Sequence, residues 1–207
     1  MIITYTLIGI TVLVSVMAFN KPAMLMDYMM NPYKVQNRKQ YYRFITSGFL
    51  HQDYGHLFLN MFSFYFFGRN MEYVFQAIFG PVGNLYFIAL YILAIIVSDI
   101  PSYFKHKNNP GYNSLGASGA VAAVIFASII FRPLDDIWLF GVIGIPGFIL
   151  GTAYLIYSYY QGRKANDNIN HDAHLYGALF GAIFCIVMYP PSLGNFIEQL
   201  MGWKIFN

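Results

Sequence analysis

Ser118 stands where an apolar helix should hold only apolar residues. It lies in Gly116-Ala117-Ser118-Gly119-Ala120, which opens a run of Val, Ala, Ile and Phe reaching Phe131. His174 occupies the matching end of a second apolar run, from Ala173 to Met188. A serine hydroxyl is a weak nucleophile until a base takes its proton, and a water-accessible imidazole can do so near neutrality. His56 and Asn60, spaced i, i+4, share one helix face, and both can donate hydrogen bonds. The backbone N–H of Ser118, in the first turn of its helix, is a third donor without an intrahelical partner. A nucleophile, a base and donors for a developing oxyanion are the parts of acyl transfer, and one such donor contributes about 2.7–4 kcal/mol to the transition state.

Glycines supply a way to bring the pair together. Gly177 and Gly181 fall three and seven residues after His174, on roughly its face, and Gly116 and Gly119 flank the serine. Small residues on facing helices allow close backbone approach, which could place Oγ and Nε2 within about 2.6–3.2 Å. Taken singly, these residues have blander readings. A membrane serine commonly bonds a backbone carbonyl, and a membrane asparagine commonly joins two helices. An intramembrane histidine is harder to dismiss.

The elements that must position them are membrane spans. Of 207 residues, 57% are hydrophobic and only 10% charged, and the mean hydropathy is +0.49. A water-soluble domain of this size needs a more polar surface. The net charge of +3 is small and scattered, which argues against nucleic acid as a partner. Cys185, the one cysteine, lies in an apolar run and reads as a small buried hydrophobe. Met1 to Phe19 has no basic start or small-residue cleavage site, so it reads as a first span rather than a cleaved signal.

Six spans of an all-α polytopic bundle are expected: Ile2–Phe19, His56–Phe79, Val82–Tyr103, Leu115–Phe131, Ile137–Tyr160 and Asp172–Met188. They form one domain, 1–190. Pro190-Pro191 end the last span, and 191–207 form a short amphipathic tail. Asn20 to Gly55 reads as an interfacial loop with short amphipathic helices. The second, fourth and sixth spans cross in one direction, so His56, Asn60, Ser118 and His174 all come to one side at shallow depth. His171 reads as a solvated loop histidine, and Asp99 as a cap or interfacial residue.

These motifs, in this order, resemble the rhomboid family of intramembrane serine proteases. Gly116-Ala117-Ser118-Gly119 matches its Gly-x-Ser-Gly motif, and His56-Leu57-Phe58-Leu59-Asn60 its His-x-x-x-Asn motif. The stretch from Ala173-His174 through Gly177 to Gly181 matches Ala-His-x-x-Gly-x-x-x-Gly. Arg43 and Thr46, Gly68 and Glu72, and His51 resemble further family positions. The resemblance implies a Ser118 nucleophile and a His174 base without a required aspartate, and an oxyanion hole from His56, Asn60 and the Ser118 N–H. It implies no cofactor and no metal. Substrates would be transmembrane segments of other proteins, unwound and cut, with membrane lipids around the enzyme. It also implies a fifth-span gate, where Gly141, Gly144, Pro146, Gly147 and Gly151 would permit bending. The loop Gly162–Asn170 resembles the family's cap over the site.

One position departs. Many members carry an aromatic residue four positions after the serine, against the catalytic histidine; here that residue is Ala122. Tyr176 or an aromatic from a neighbouring span would have to take its place. Orientation is also contested. Most Lys and Arg lie in the loops on the active-site side, which by the positive-inside rule would be cytoplasmic. The resemblance implies a bacterial plasma membrane with the site opening outward, and that orientation is preferred here. Two other readings remain: an inactive rhomboid-like protein that binds membrane clients, and a small transporter. Polar residues crowd one side instead of crossing the membrane, which disfavours transport. His51, His56, His171 and His174 have no carboxylate or cysteine to complete a tight zinc set, and no HExxH occurs.

Overall fold

The computed structural model of the chain describes residues 1–139, 141–164, 167 and 169–204. In chain order, α1 (Ile2–Phe19) is followed by three short helices, α2 (Pro22–Tyr28), α3 (Pro32–Arg38) and α4 (Arg43–Thr46). Then come α5 (Tyr54–Phe79) and α6 (Gly83–His106), joined by a tight turn at Gly80–Val82, and α7 (Ser118–Phe131). A hairpin of β1 (Asp136–Leu139) and β2 (Ile143–Pro146) precedes α8 (Gly147–Lys164), α9 (His171–Met188) and α10 (Pro191–Gly202). The chain is an integral, multi-pass membrane protein built as a helical bundle. Ile2–Phe19, the stretch Tyr54–His106 and His171–Met188 meet the length and hydropathy of membrane spans outright.

The shortness of α7 has a packing reason. At 14 residues it is about 21 Å long, less than the roughly 30 Å of hydrocarbon. Nearly all its side chains are buried, as expected of a helix that is apolar all round. It is the centre of the bundle, with α5, α6 and α9 packed about it, so lipid need not cover its ends.

The fifth span differs from expectation. Asp136–Leu139 and Ile143–Pro146 form an antiparallel hairpin, pairing Asp136 with Pro146 and Leu139 with Ile143. The helix begins only at Gly147. Gly141 turns the hairpin at φ +70°, and Gly144 and Pro146 belong to β2, so only Gly147 and Gly151 are left to the helix. The inward-facing backbone groups of this apolar segment pair across two strands instead of along a helix. The expected interfacial loop is ordered by its own polar contacts. Arg43 is buried, donating from Nη1 to the carbonyls of Met26 (3.2 Å) and Met29 (2.6 Å) and from Nε to Gln40 (2.7 Å). Thr46 donates to the Tyr28 carbonyl at 2.7 Å. The loop after α8 is described only in part, since 165, 166 and 168 lie outside the described residues, as do 205–207 of the tail.

Glu72 fastens α1 to α5. Its carboxylate accepts the backbone N–H groups of Ile3 (3.1 Å) and Thr4 (2.9 Å) and the Thr4 hydroxyl (2.7 Å). Those N–H groups have no partner within α1, and the Glu72 side chain is buried. Glu72→Ala should therefore destabilise the protein by about 1.5–3 kcal/mol, the range for hydrogen bonds to a charged group. Glu72→Gln, which keeps an acceptor, should cost less. Unfolding in detergent micelles measures both.

Candidate active site

The fold brings the two chemical residues into contact. Ser118 Oγ and His174 Nε2 lie 2.8 Å apart. For the hydroxyl to donate, Nε2 must be unprotonated, which assigns the ring proton to Nδ1. Among the described residues no carboxylate hydrogen-bonds His174, so the contact has no third member. Ser118 is the first residue of α7. The first turn closes with the Val121 N–H on the Ala117 carbonyl at 2.9 Å, so the Ser118 N–H lies ahead of the helical ladder.

The glycines act in two ways. A Cβ at Gly177 would overlap the Gly119 carbonyl, and one at Gly181 the Ala123 carbonyl. Thus α7 and α9 touch backbone to backbone, and the expected close approach is real for Gly119, Gly177 and Gly181. Gly116 does something else. Its φ is +125°, a conformation suited to glycine. A Cβ there would come within 2.8 Å of His56 Cε1 and 3.8 Å of Ser118 Oγ. Gly116 therefore lets the His56 ring settle against the serine loop. Asn60, one turn after His56, donates to the His56 carbonyl at 2.9 Å. It lines the same cleft as Ser118 and His174.

His51 buttresses this loop from behind. It is buried between α1 and α5; Nδ1 lies 3.0 Å from Ser15 Oγ, and Nε2 accepts the Ala117 N–H at 3.5 Å. Ser15 Oγ in turn donates to the Phe49 carbonyl at 3.0 Å, so Nδ1 carries the proton. Burial, with His56 beside it, lowers the His51 pKa to about 3, against a smaller opposing pull from Asp53. The unfolded chain binds this proton below about pH 6.5 while the native chain does not. The contribution is intact above pH 6.5 and is lost as pH falls towards 3, by about 1.4 kcal/mol per pH unit within that window. Melting temperature should drop as the buffer goes from pH 7.5 to 4.5, and less steeply in His51→Asn.

Asp99 is neither a cap nor interfacial. It is buried at a junction, 3.3 Å from Ser47 Oγ and 3.5 Å from Asn170 Nδ2. The Ser47 carbonyl accepts the Gly116 N–H at 3.0 Å. Asn170 Oδ1 accepts the Ala173 N–H at 3.1 Å and so caps α9. Asp99 thereby joins the serine loop to the start of the histidine helix. Beside it lies a cavity of about 20 Å³, lined by Ser98, Asp99, Ser114, Ser118 and Asn170, which suffices for a water molecule.

His171 is not a solvated loop residue. It is the first residue of α9, buried, and bonded to Asp167 at 3.1 Å. Tyr176 is exposed and does not face His174. The aromatic ring over the histidine comes from Tyr154 on α8, stacked at 6.2 Å with an interplanar angle of 23°. From the dyad, a cleft of about 1210 Å³ runs between α5 and α8 towards the hairpin. Leu59, Phe62 and Phe66 line one wall and Leu150, Tyr154 and Tyr157 the other.

Comparison with known proteins agrees with this architecture. The Rhomboid domain profile matches residues 38–191. "RHOMBOID-like protein 12, mitochondrial" of Arabidopsis thaliana is 29% identical over 175 residues, 80% of this chain and 51% of that protein. "Rhomboid-like protein 11, chloroplastic" of Arabidopsis thaliana is 28% identical over 161 residues, 73% of this chain and 54% of that protein. The chain spans about half the length of these curated relatives.

Proposed function

The chain belongs to the rhomboid family, and from that premise we propose that it is an intramembrane serine endopeptidase that cleaves transmembrane segments of other membrane proteins. The observation that carries this reading is the 2.8 Å contact between Ser118 Oγ and His174 Nε2, made between α7 and α9. The hydroxyl proton passes to Nε2 as Oγ bonds the scissile carbonyl carbon. The electron pair of that carbonyl moves onto its oxygen, where the Ser118 N–H, His56 and Asn60 donate. Asn60 uses one of its two N–H groups on the His56 carbonyl and keeps the other for the cleft. His174 then returns its proton to the leaving amine. A water from the cavity beside Ser118 hydrolyses the acyl enzyme, with His174 again as base. No step needs a cofactor.

The cleft between α5 and α8 suits a transmembrane partner, because its walls are apolar and it ends at the dyad. Membrane lipids bathe its outer rim. We place the protein in a bacterial plasma membrane with the site opening outward. Arg43, one of the cations that favoured the opposite orientation, is buried and held by loop carbonyls, which gives it a structural role in that loop. The test is labelling of the purified protein with a fluorophosphonate probe, alongside cleavage of a transmembrane substrate in proteoliposomes. Label that depends on Ser118 supports the reading. A folded wild-type protein that neither labels nor cuts would move the assignment to a non-proteolytic rhomboid-like protein that binds membrane clients.

A further inference from the structure

Among the described residues, no carboxylate pairs with Arg69. This residue lies on α5 beside α1, near the end of the bundle opposite the dyad. Glu72, one turn on, spends its carboxylate on the Ile3 and Thr4 N–H groups and the Thr4 hydroxyl. A guanidinium carries five N–H donors. Here Nη1 donates to Tyr65 Oη at 2.9 Å, and Nε is buried with no acceptor among the described residues. The Tyr65 and Tyr5 rings lie 5.0 and 5.9 Å from the guanidinium carbon. Two aromatic faces favour a cation there, but they bring no charged oxygen to it. The side chain as a whole is only half-buried, so an anion can reach it from outside.

The surroundings decide which anion. Tyr65, Arg69 and Tyr73 follow one another at i, i+4 and i+8, on one face of α5. Tyr5, Tyr65 and Tyr73 are exposed, and on membrane spans such a face meets lipid. Tyr5 lies about 21 Å along α1 from Phe19. Against about 30 Å of hydrocarbon, that leaves the guanidinium within snorkelling reach of the headgroups, the level at which tyrosines gather.

We infer that Arg69, with Tyr5 and Tyr65, forms a headgroup site for an anionic phospholipid. The lipid phosphodiester offers two charged oxygens to the open edge of the guanidinium, the bidentate arrangement that arginine favours. Tyr65 Oη accepts from Nη1 and keeps its own proton for a further hydrogen bond to the phosphate. A zwitterionic lipid brings the same phosphate with an ammonium group, for which Arg69 has no neighbouring carboxylate to spare. The site touches neither the dyad nor the cleft, so it stands apart from the proteolytic reading.

The test gives purified protein in dodecyl maltoside micelles one of three additions: dioleoylphosphatidylglycerol, dioleoylphosphatidylcholine or inorganic phosphate. Native mass spectrometry counts retained lipid, and melting temperature is read on the same samples. Wild type should retain one phosphatidylglycerol, and its melting temperature should rise with that lipid, as for any ligand that binds only the native chain. Arg69→Gln should lower the occupancy by about 10-fold or more, the loss expected for hydrogen bonds to a charged group, and should abolish the rise. Arg69→Lys, a point charge without the planar fork, should fall between the two. Arg132→Gln is the control, since that guanidinium already has Asp135 at 3.5 Å, and it should leave the occupancy unchanged. In lipid-free micelles Arg69→Gln should melt close to wild type, because the charge it removes has no counter-charge to strand. Equal phosphatidylglycerol occupancy in wild type and Arg69→Gln would overturn the inference. So would phosphatidylcholine retained as firmly as phosphatidylglycerol, or inorganic phosphate that raises the melting temperature as much as the lipid does, since the site would then take a soluble anion. A fall in the lipid-free melting temperature of Arg69→Gln, with the lipid-induced rise intact, would also overturn it and reduce Arg69 to a brace between α1 and α5.

Discussion

Ser118→Ala and His174→Ala should each reduce cleavage of a transmembrane substrate by at least about 10⁴-fold, and the double variant should be no worse than either. The reasoning is that nucleophile and base act as one unit. Without the base the hydroxyl keeps its proton, and without the hydroxyl the base has nothing to activate, so the losses do not add. The fold should survive, because the contact removed is a single hydrogen bond at the end of a helix pair held by its backbones. Such a bond contributes about 0.5–1.5 kcal/mol net. Melting temperature and cleavage measured on the same preparations separate the two effects. Residual cleavage by purified Ser118→Ala at more than a few per cent of the wild-type rate would sink the assignment. Additive losses in the double variant would mean that His174 serves the reaction by some route other than through Ser118.

How much of this was legible in the sequence depended on how local each feature is. Ser118 and His174 could be paired because both open apolar runs, and parity puts those openings on one side. The glycine spacing after His174 was readable as a helix face, and α9 indeed packs through Gly177 and Gly181. The hairpin at 136–146 was missed because Ile137-Trp138-Leu139 and Ile143-Gly144-Ile145 are as apolar as a span. Hydropathy cannot separate a strand from a helix over so few residues. The signal was present in Gly141 at the turn and Pro146 just before the helix. A span opening at Asp172 leaves His171 in solvent, whereas α9 opens at His171 itself. Asn170 is a good N-cap residue, with Asp172 in the first turn, and weighing that would have put His171 on the helix. Tyr154 had no local signal. It sits twenty residues before His174 on another helix, and only the tertiary packing reveals which ring replaces the one missing at Ala122.

Gly177→Ala and Gly181→Ala should each destabilise the protein, and Gly177→Ala should also nearly silence it. A methyl group at Gly177 would meet the Gly119 carbonyl, with the Gly119 carbonyl carbon only 2.8 Å away. A methyl at Gly181 would meet the Ala123 carbonyl, with Ala123 C and Cα both at 2.6 Å. The obstacles are backbone atoms of the buried central helix, so no side chain can swing aside and the two helices must part. Overpacking of this kind costs about 1–3 kcal/mol, more than the gain in helix propensity of about 1 kcal/mol from replacing glycine. Gly194→Ala on α10 is the internal control, because nothing lies within 4 Å of a Cβ there; it should be neutral or slightly stabilising. The catalytic consequence follows from geometry. Ser118 and His174 face each other across the same seam, and Gly177 is one turn from His174. Parting the helices by about 1 Å would stretch a 2.8 Å hydrogen bond beyond useful reach, and a misplacement of that size can cost about 10²-fold in rate. Gly181, a further turn along, should lose stability comparably but activity less. Equal activity losses at the two sites would mean that the seam transmits strain along its whole length. A Gly177→Ala protein with wild-type melting temperature and rate would show that α7 and α9 can slide past one another, and that backbone contact does not set the distance in the dyad.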